Sequence, residues 1–149
     1  MKINIKTFNE LSTGELYDIL KLRSEVFVVE QDCVYQDIDG TDQKALHILG
    51  VVENEIIAYT RCFKPGDYFK EASIGRVVVK QSQRKYKRGN QIMNSSIEAI
   101  EKYYNTNTIK ISAQCYLNKF YASLGFKSIG EKYLEDGIPH VAMIRISVT

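Results

Sequence analysis

The chain has 149 residues, 44% of them hydrophobic and 26% charged, with a formal charge of +2. This composition excludes a disordered or fibrous chain and gives one domain over residues 1–149, long enough for a core without staples. Cys33, Cys62 and Cys115 are odd in number and lack C-x-x-C spacing, which excludes a disulfide framework and leaves no local zinc signature. Neither a signal peptide nor a span of about 18 apolar residues is present, so we expect a cytoplasmic protein with no membrane partner and no metal.

Charge is segregated along the chain. Residues 24–43 hold six carboxylates and no Lys or Arg, whereas residues 72–97 hold six Lys or Arg and no carboxylate. One segment suits a cationic ligand and the other an anionic one.

In chain order, Lys2 to Phe8 alternates as a strand, and Ser12-Thr13-Gly14-Glu15 has the capping-box pattern that starts a helix. Leu16, Ile19, Leu20, Arg23 and Phe27 form one stripe of that helix, in which Arg23 reads as a stem packed on the flank with its head in solvent. The acidic stretch Glu30 to Asp42 then forms a loop. Asp32 and Asp42 read as turn residues, while Glu30, Asp37 and Asp39 are candidates for contact with a substrate amine. Leu46 to Val52 and Ile56 to Phe63 are strands around a Glu53-Asn54-Glu55 turn.

Ile74 to Val79 is a β-branched run, and from Gln91 onward Ile92, Met93, Ser96, Ile97 and Ile100 recur at helical spacing. The loop between carries Arg84, Lys85, Lys87 and Arg88 at a helix start, where cations are unfavourable unless an anion sits there. A phosphate cradle and a solvated basic loop are both open on this pattern, as is a nucleic-acid patch around Tyr86. Thr108 to Ala113 is a further strand and Leu117 to Leu124 a short helix ended by Gly125. Lys127 to Tyr133 and Val141 to Ile146 close the sheet as a hairpin joined by Glu135 to His140. Strands interleaved with helices, yet including hairpins, give a mixed α/β sheet.

Arg84-Lys85-Tyr86-Lys87-Arg88-Gly89 resembles the Arg/Gln-x-x-Gly-x-Gly/Ala pyrophosphate loop of the GNAT N-acetyltransferases, with Lys87 at the first glycine position. Gln114 to Phe126 is similar to a second segment of that superfamily, Asn-x-x-Ala-x-x-Phe-Tyr-x-x-x-Gly-Phe. Phe27 to Cys33, Tyr35 to Gly40, His47 to Gly50, Ile74 to Val77 and Glu135 to His140 resemble the ElaA-like branch over nearly the whole chain. The resemblance implies a mostly antiparallel twisted sheet of about six to seven strands with helices on both faces. It also implies acetyl transfer from acetyl-CoA to a small-molecule or peptide amine, with no nucleic-acid partner and with a homodimer allowed.

The resemblance supplies the cofactor residues and the tyrosine, and the acidic loop and the histidines supply candidates for the amine. Val77, Val78 and Val79 would pair with the pantetheine arm, and Arg84, Lys87, Arg88, Gly89 and Asn90 would hold the pyrophosphate. Tyr121 falls on the family's tyrosine and would protonate the departing thiolate, with Asn118 beside it on the cofactor. For the amine, Glu30 is the first choice of base, His140 and His47 could relay its proton, and Arg23, Asp37 and Asp39 complete the acceptor contacts. Acyl-homoserine lactone synthesis is the competing reading within the fold, because Arg23, Phe27, Asp37, Asp39, Arg61 and Arg76 suit it as well. A catalytically silent module that binds coenzyme A is the alternative from another class.

Overall fold

In the computed structural model, which describes residues 1–147, the capping box forms as read. Ser12 Oγ accepts from the Glu15 amide at 3.0 Å and Glu15 Oε1 accepts from the Ser12 amide at 2.9 Å. Helix α1 (Thr13–Arg23) starts there and continues through Ser24–Glu30 as a π turn, where the Gln31 amide donates to the Val26 carbonyl five residues back. The π turn widens the helix beside the acidic loop, a local distortion of a kind that recurs at functional sites.

Seven strands form one sheet in the order β1-β2-β3-β4-β5-β7-β6. They are β1 (Lys2–Thr7), β2 (Leu46–Val52), β3 (Glu55–Phe63), β4 (Ala72–Val79), β5 (Thr108–Gln114), β6 (Lys127–Glu135) and β7 (Ile138–Ile146). All neighbours are antiparallel except β4 and β5. This is the α/β fold with a mostly antiparallel sheet that the sequence implied. The last hairpin is longer than read: its turn is Asp136-Gly137, with φ of +52° and +78°, so His140 lies within β7 and not in a loop.

The sheet has a core on each face. On one, Ile92, Met93, Ile97 and Ile100 of α2 (Arg88–Tyr104) pack on β2 to β5, and α3 (Asn118–Ser123) adds Tyr121. On the other, Ile19, Leu22, Val26 and Phe27 pack on Leu49, Tyr59 and Val78. Burying each such side chain contributes about 1.5–3 kcal/mol. Among the described residues no helix is long and apolar enough to cross a membrane.

Candidate active site

β4 and β5 pair only at Ala72–Ile109 and Ser73–Lys110, then diverge. The gap between them is a cavity of about 530 Å³, walled by Ile74 to Val79 on one side and by Ile111, Ser112 and Gln114 on the other. A bulge helps to open it. Between the pairs Tyr59–Val78 and Arg61–Gly75, Thr60 alone faces Arg76 and Val77, and Arg76 takes φ of +49°. A bulge leaves ladder groups unpaired and re-aims the strand, and Val77 lines the cavity at this point.

One end of the cavity is formed by the basic loop. The first bond of α2 runs from the Gln91 amide to the Lys87 carbonyl at 3.3 Å, so the amides of Arg88, Gly89 and Asn90 have no acceptor within the helix. No side chain caps this end. Lys87 adopts φ of +57°, the left-handed conformation that glycine supplies more cheaply, at a cost on the order of 1–2 kcal/mol. A Cβ on Gly89 would lie 3.3 Å from Phe120 Cζ, so a glycine here lets α2 begin directly against α3. Open amides on a helix of 17 residues, with Arg84 and Lys87 beside them, fit a phosphate. Arg88 is different: its guanidinium lies over the Tyr86 ring and reaches Gln91, so only its amide remains for a ligand.

Tyr121 lies in the cavity wall, packed edge-on between Phe120 and Phe126. Burial pushes its phenol well above the ordinary value of 10.0, with a smaller contribution from Tyr116. The phenol therefore stays protonated and available as a donor throughout the physiological range. Asn118 does not line the cavity, and its side-chain amide donates to Ser128 Oγ at 3.2 Å.

Glu30 and His140 both line the cavity, but neither is free. Glu30 takes a two-pronged ion pair from Arg84 at 2.6 and 2.9 Å, while Arg84 Nε donates to the Val79 carbonyl. The acidic and basic segments thus meet across the cavity. His140 Nδ1 donates to the Ile138 carbonyl at 2.7 Å, since a carbonyl can only accept, and its Nε2 lies 3.3 Å from Glu135 Oε2. Gln31 and Gln114 exchange amide hydrogen bonds at 3.2 and 3.4 Å and so tie the π turn to β5. Gln31, Cys33, Tyr35 and Tyr116 line the site without having been singled out from the sequence; only their place in the family-like segments marked them.

The remaining acceptor candidates are drawn elsewhere. Arg23 is 0% exposed and donates to Asp37 and Asp42, so its head is buried and not solvated as read. Arg61 donates to Asp39 and Asp42. Arg76 Nε lies 2.7 Å from Asp37 Oδ1, an ion pair without hydrogen-bond alignment. Burial works against ionised Asp39 and Asp42, but the guanidinium groups outweigh it and hold both carboxyls below the usual range. None of Arg23, Asp37, Asp39 and His47 lines the cavity, and each is engaged inside or beneath this network. Asp42 is corrected from a solvated turn residue to the hub.

His47 is wholly buried beneath the network. Its Nε2 donates to the Asp42 carbonyl at 3.0 Å, and in the neutral ring its Nδ1 accepts from the Tyr59 hydroxyl at 2.7 Å. Burial accordingly lowers its pKa from 6.5. The unfolded chain takes up this proton first, so stability is full above pH 6.5 and falls below it, by up to about 1.4 kcal/mol per pH unit. His47→Gln is expected to flatten that part of a plot of melting temperature against pH. An unchanged slope would assign it to other groups.

A mostly antiparallel sheet is thus split between its two parallel strands, with open helix amides and the cations of Arg84 and Lys87 at one end of the split. A family model described as an acetyltransferase (GNAT) domain matches residues 10–146, and the chain belongs to that family. It is 44% identical to Protein ElaA of Escherichia coli over 139 residues, covering 92% of this chain and 91% of that protein. The crystal structure of Escherichia coli ElaA superposes with a TM-score of 0.90 at 41% identity, covering 97% of this chain and 98% of that one. An acyl-CoA N-acyltransferase from Pseudomonas aeruginosa superposes with a TM-score of 0.91 at 37% identity, over 97% of this chain and 99% of that one. An aminoglycoside 6'-N-acetyltransferase complexed with coenzyme A shares the fold, with a TM-score of 0.71 at 15% identity over 96% of each chain.

Proposed function

We propose that the chain transfers an acetyl group from acetyl-CoA directly to an amine in a ternary complex and releases coenzyme A. The observation that carries this reading is the β4–β5 cavity, with open α2 amides at one end and the Tyr121 phenol in its wall. In this reading Arg84, Lys87 and the amides of Arg88, Gly89 and Asn90 take the pyrophosphate, and Val77 to Val79 pair with the pantetheine arm. The neutral amine nitrogen attacks the thioester carbon, and a backbone N–H at the Val77 bulge receives the oxygen as it becomes negative. Such a donor is typically worth about 2.7–4 kcal/mol. The carbon–sulfur bond then breaks and Tyr121 supplies the proton to sulfur. Glu30 or the His140–Glu135 pair accepts the proton that leaves the nitrogen. Because the donor is acetyl-CoA, we propose the cytoplasm as its setting. Lactone synthesis is disfavoured, since Arg23, Arg61 and Arg76 are spent on Asp37, Asp39 and Asp42.

Thiol release from acetyl-CoA across amines, peptides and aminosugars tests the reaction. Coenzyme A should raise the melting temperature, since ligand at 100-fold its dissociation constant stabilises by about 2.7 kcal/mol. Gly89→Glu should abolish the shift by setting a carboxylate against the phosphates, whereas Gly89→Ala, which tests the Phe120 contact alone, should keep most of it. A normal shift in Gly89→Glu would move the cofactor site elsewhere.

Glu30→Gln separates two roles. Losing the carboxylate releases Arg84 for phosphate, so coenzyme A should bind a few-fold more tightly in calorimetry, while turnover falls more at neutral than at high pH. Weaker binding in Glu30→Gln would instead make Glu30 a support for Arg84.

A further inference from the structure

The β5, β7 and β6 part of the sheet carries a polar cluster on the face away from α2. Ile111, Ala113, Val141 and Met143 pack into the α2 core, so by alternation Ser112 and His140 face the other way. Tyr133 stands opposite His140 in the β6–β7 ladder and Glu135 comes two residues later, which puts all four side chains on that face. The Tyr133 and His140 rings stack with centroids 6.1 Å apart. Because β7 lies between β5 and β6, Tyr133 and Glu135 both reach across it to the Ser112 hydroxyl.

A carboxylate can only accept, and this fixes the direction of the bonds. Ser112 Oγ donates to Glu135 Oε1 at 3.3 Å, which uses its single proton, so the Tyr133 hydroxyl donates to Ser112. The other oxygen, Oε2, lies 3.3 Å from His140 Nε2, whose ring keeps its Nδ1 proton on the Ile138 carbonyl. Among the described residues, His140 is the only ion-pair partner of Glu135. Also facing this carboxylate are Asp136 beside it, Arg61, Arg76 and Tyr68 across a small cleft, and Cys33, whose thiol donates to the Asp136 carbonyl. Ser112, Glu135 and His140 line the main cavity, whereas Tyr133 does not. Glu30, on the π-turn wall, differs from Glu135: both of its oxygens are on Arg84, so it opens to an amine when Arg84 turns to the phosphates.

We propose that Glu135 meets the acceptor amine and takes its proton, and that Ser112 and Tyr133 are positioning residues that hold it toward the cavity. This rests on the acetyltransferase reading and assigns roles around the His140–Glu135 pair. As the nitrogen bonds the thioester carbon, its N–H bond breaks and the proton passes to Glu135. From Oε2 it moves to His140 Nε2, the ring nitrogen with a free lone pair, and it returns to water once the product has left. Tyr133 touches no reacting atom. It acts by keeping the Ser112 proton pointed at Oε1, and each carboxylate oxygen still has a lone pair for the amine.

The test measures thiol release from acetyl-CoA, at neutral and at high pH, with the amine that the wild type uses best. Glu135→Gln should lower kcat by about 10²-fold or more at neutral pH. Tyr133→Phe and Ser112→Ala should each lower it about tenfold, the value of a hydrogen bond to a charged group, while Ser112→Thr, which keeps the hydroxyl, stays near wild type. Every loss should shrink at high pH, where more of the amine is already neutral. Melting temperature and coenzyme A affinity should hold in Tyr133→Phe, because this ring is 39% exposed and stands outside the cavity. In the Glu135→Gln background Tyr133→Phe should cost nothing further, since the group it acts through is gone. A full tenfold loss in that background, or equal losses at neutral and high pH, would overturn the proposal by giving the hydroxyls a structural role. Wild-type kcat in both Tyr133→Phe and Ser112→Ala would overturn it as well. Loss of coenzyme A binding and of thiol release with every amine in the wild type would fail the acetyltransferase reading itself.

Discussion

Tyr121→Phe is expected to lower turnover by about 10²–10⁴-fold with little change in stability or in acetyl-CoA affinity, because the ring and its packing are kept and only the proton is lost. The hydroxyl contributes nothing to the fold through hydrogen bonding, since none involves it among the described residues, and the ring stays between Phe120 and Phe126. The raised pKa of the buried phenol makes full proton transfer to a free thiolate near 8.5 uphill. Transfer must then be concerted with carbon–sulfur cleavage, while sulfur is poorly solvated and its charge is still growing. A donor with a more acidic thiol leaving group should recover part of the lost rate, as measured by single-turnover kinetics. Full turnover in Tyr121→Phe with chemistry limiting would remove the tyrosine from this role and leave the His140–Glu135 pair as the source of the proton.

What was legible in the sequence was what depends on near neighbours. Alternation gave the strands, the Ser12 to Glu15 box gave the start of α1, and the helical spacing after Gln91 gave α2. The closing hairpin was read with too long a connection, although Asp136-Gly137 is the strongest short-range hairpin signal. The polar run from Glu135 to His140 was taken as a loop, but one strand faces the cavity with His140 and the other leaves polar side chains in solvent. The buried arginines were illegible for another reason. The partners of Arg23 lie 14 and 19 residues further along the chain, and no local period distinguishes a carboxylate that folds back from one that stays in water.

Asp42→Ala is expected to be the most destabilising single change in the acidic loop. One oxygen, Oδ1, accepts from Arg23 and from Arg61, each at 2.9 Å, and both guanidinium groups are almost wholly buried. Removing it leaves two buried cations short of a partner, and breaking such a pair typically costs about 3–5 kcal/mol. That is a large part of the roughly 5–15 kcal/mol that holds a domain together. Urea denaturation should show the midpoint falling with little change in slope, while Asp18→Ala, at an exposed position of α1, should change stability by about 0.5 kcal/mol or less. Acid should act through the same group. Because the folded pKa of Asp42 is lowered, its contribution is complete above the ordinary carboxylate range near 3.8 and is lost as pH falls through the folded value. Asp42→Ala should therefore be less stable at neutral pH and lose less on acidification than the wild type. The network also fixes the bulge, since Arg76 at φ of +49° is held by Asp37 and by the Asp37 carbonyl at 2.9 Å. If loosening the hub frees that arginine, coenzyme A binding in Asp42→Ala should weaken at temperatures well below its unfolding. A stability loss under 1 kcal/mol with unaltered binding would mean that the arginines find water or other carboxylates, and that the hub is not what holds the acidic loop to the sheet.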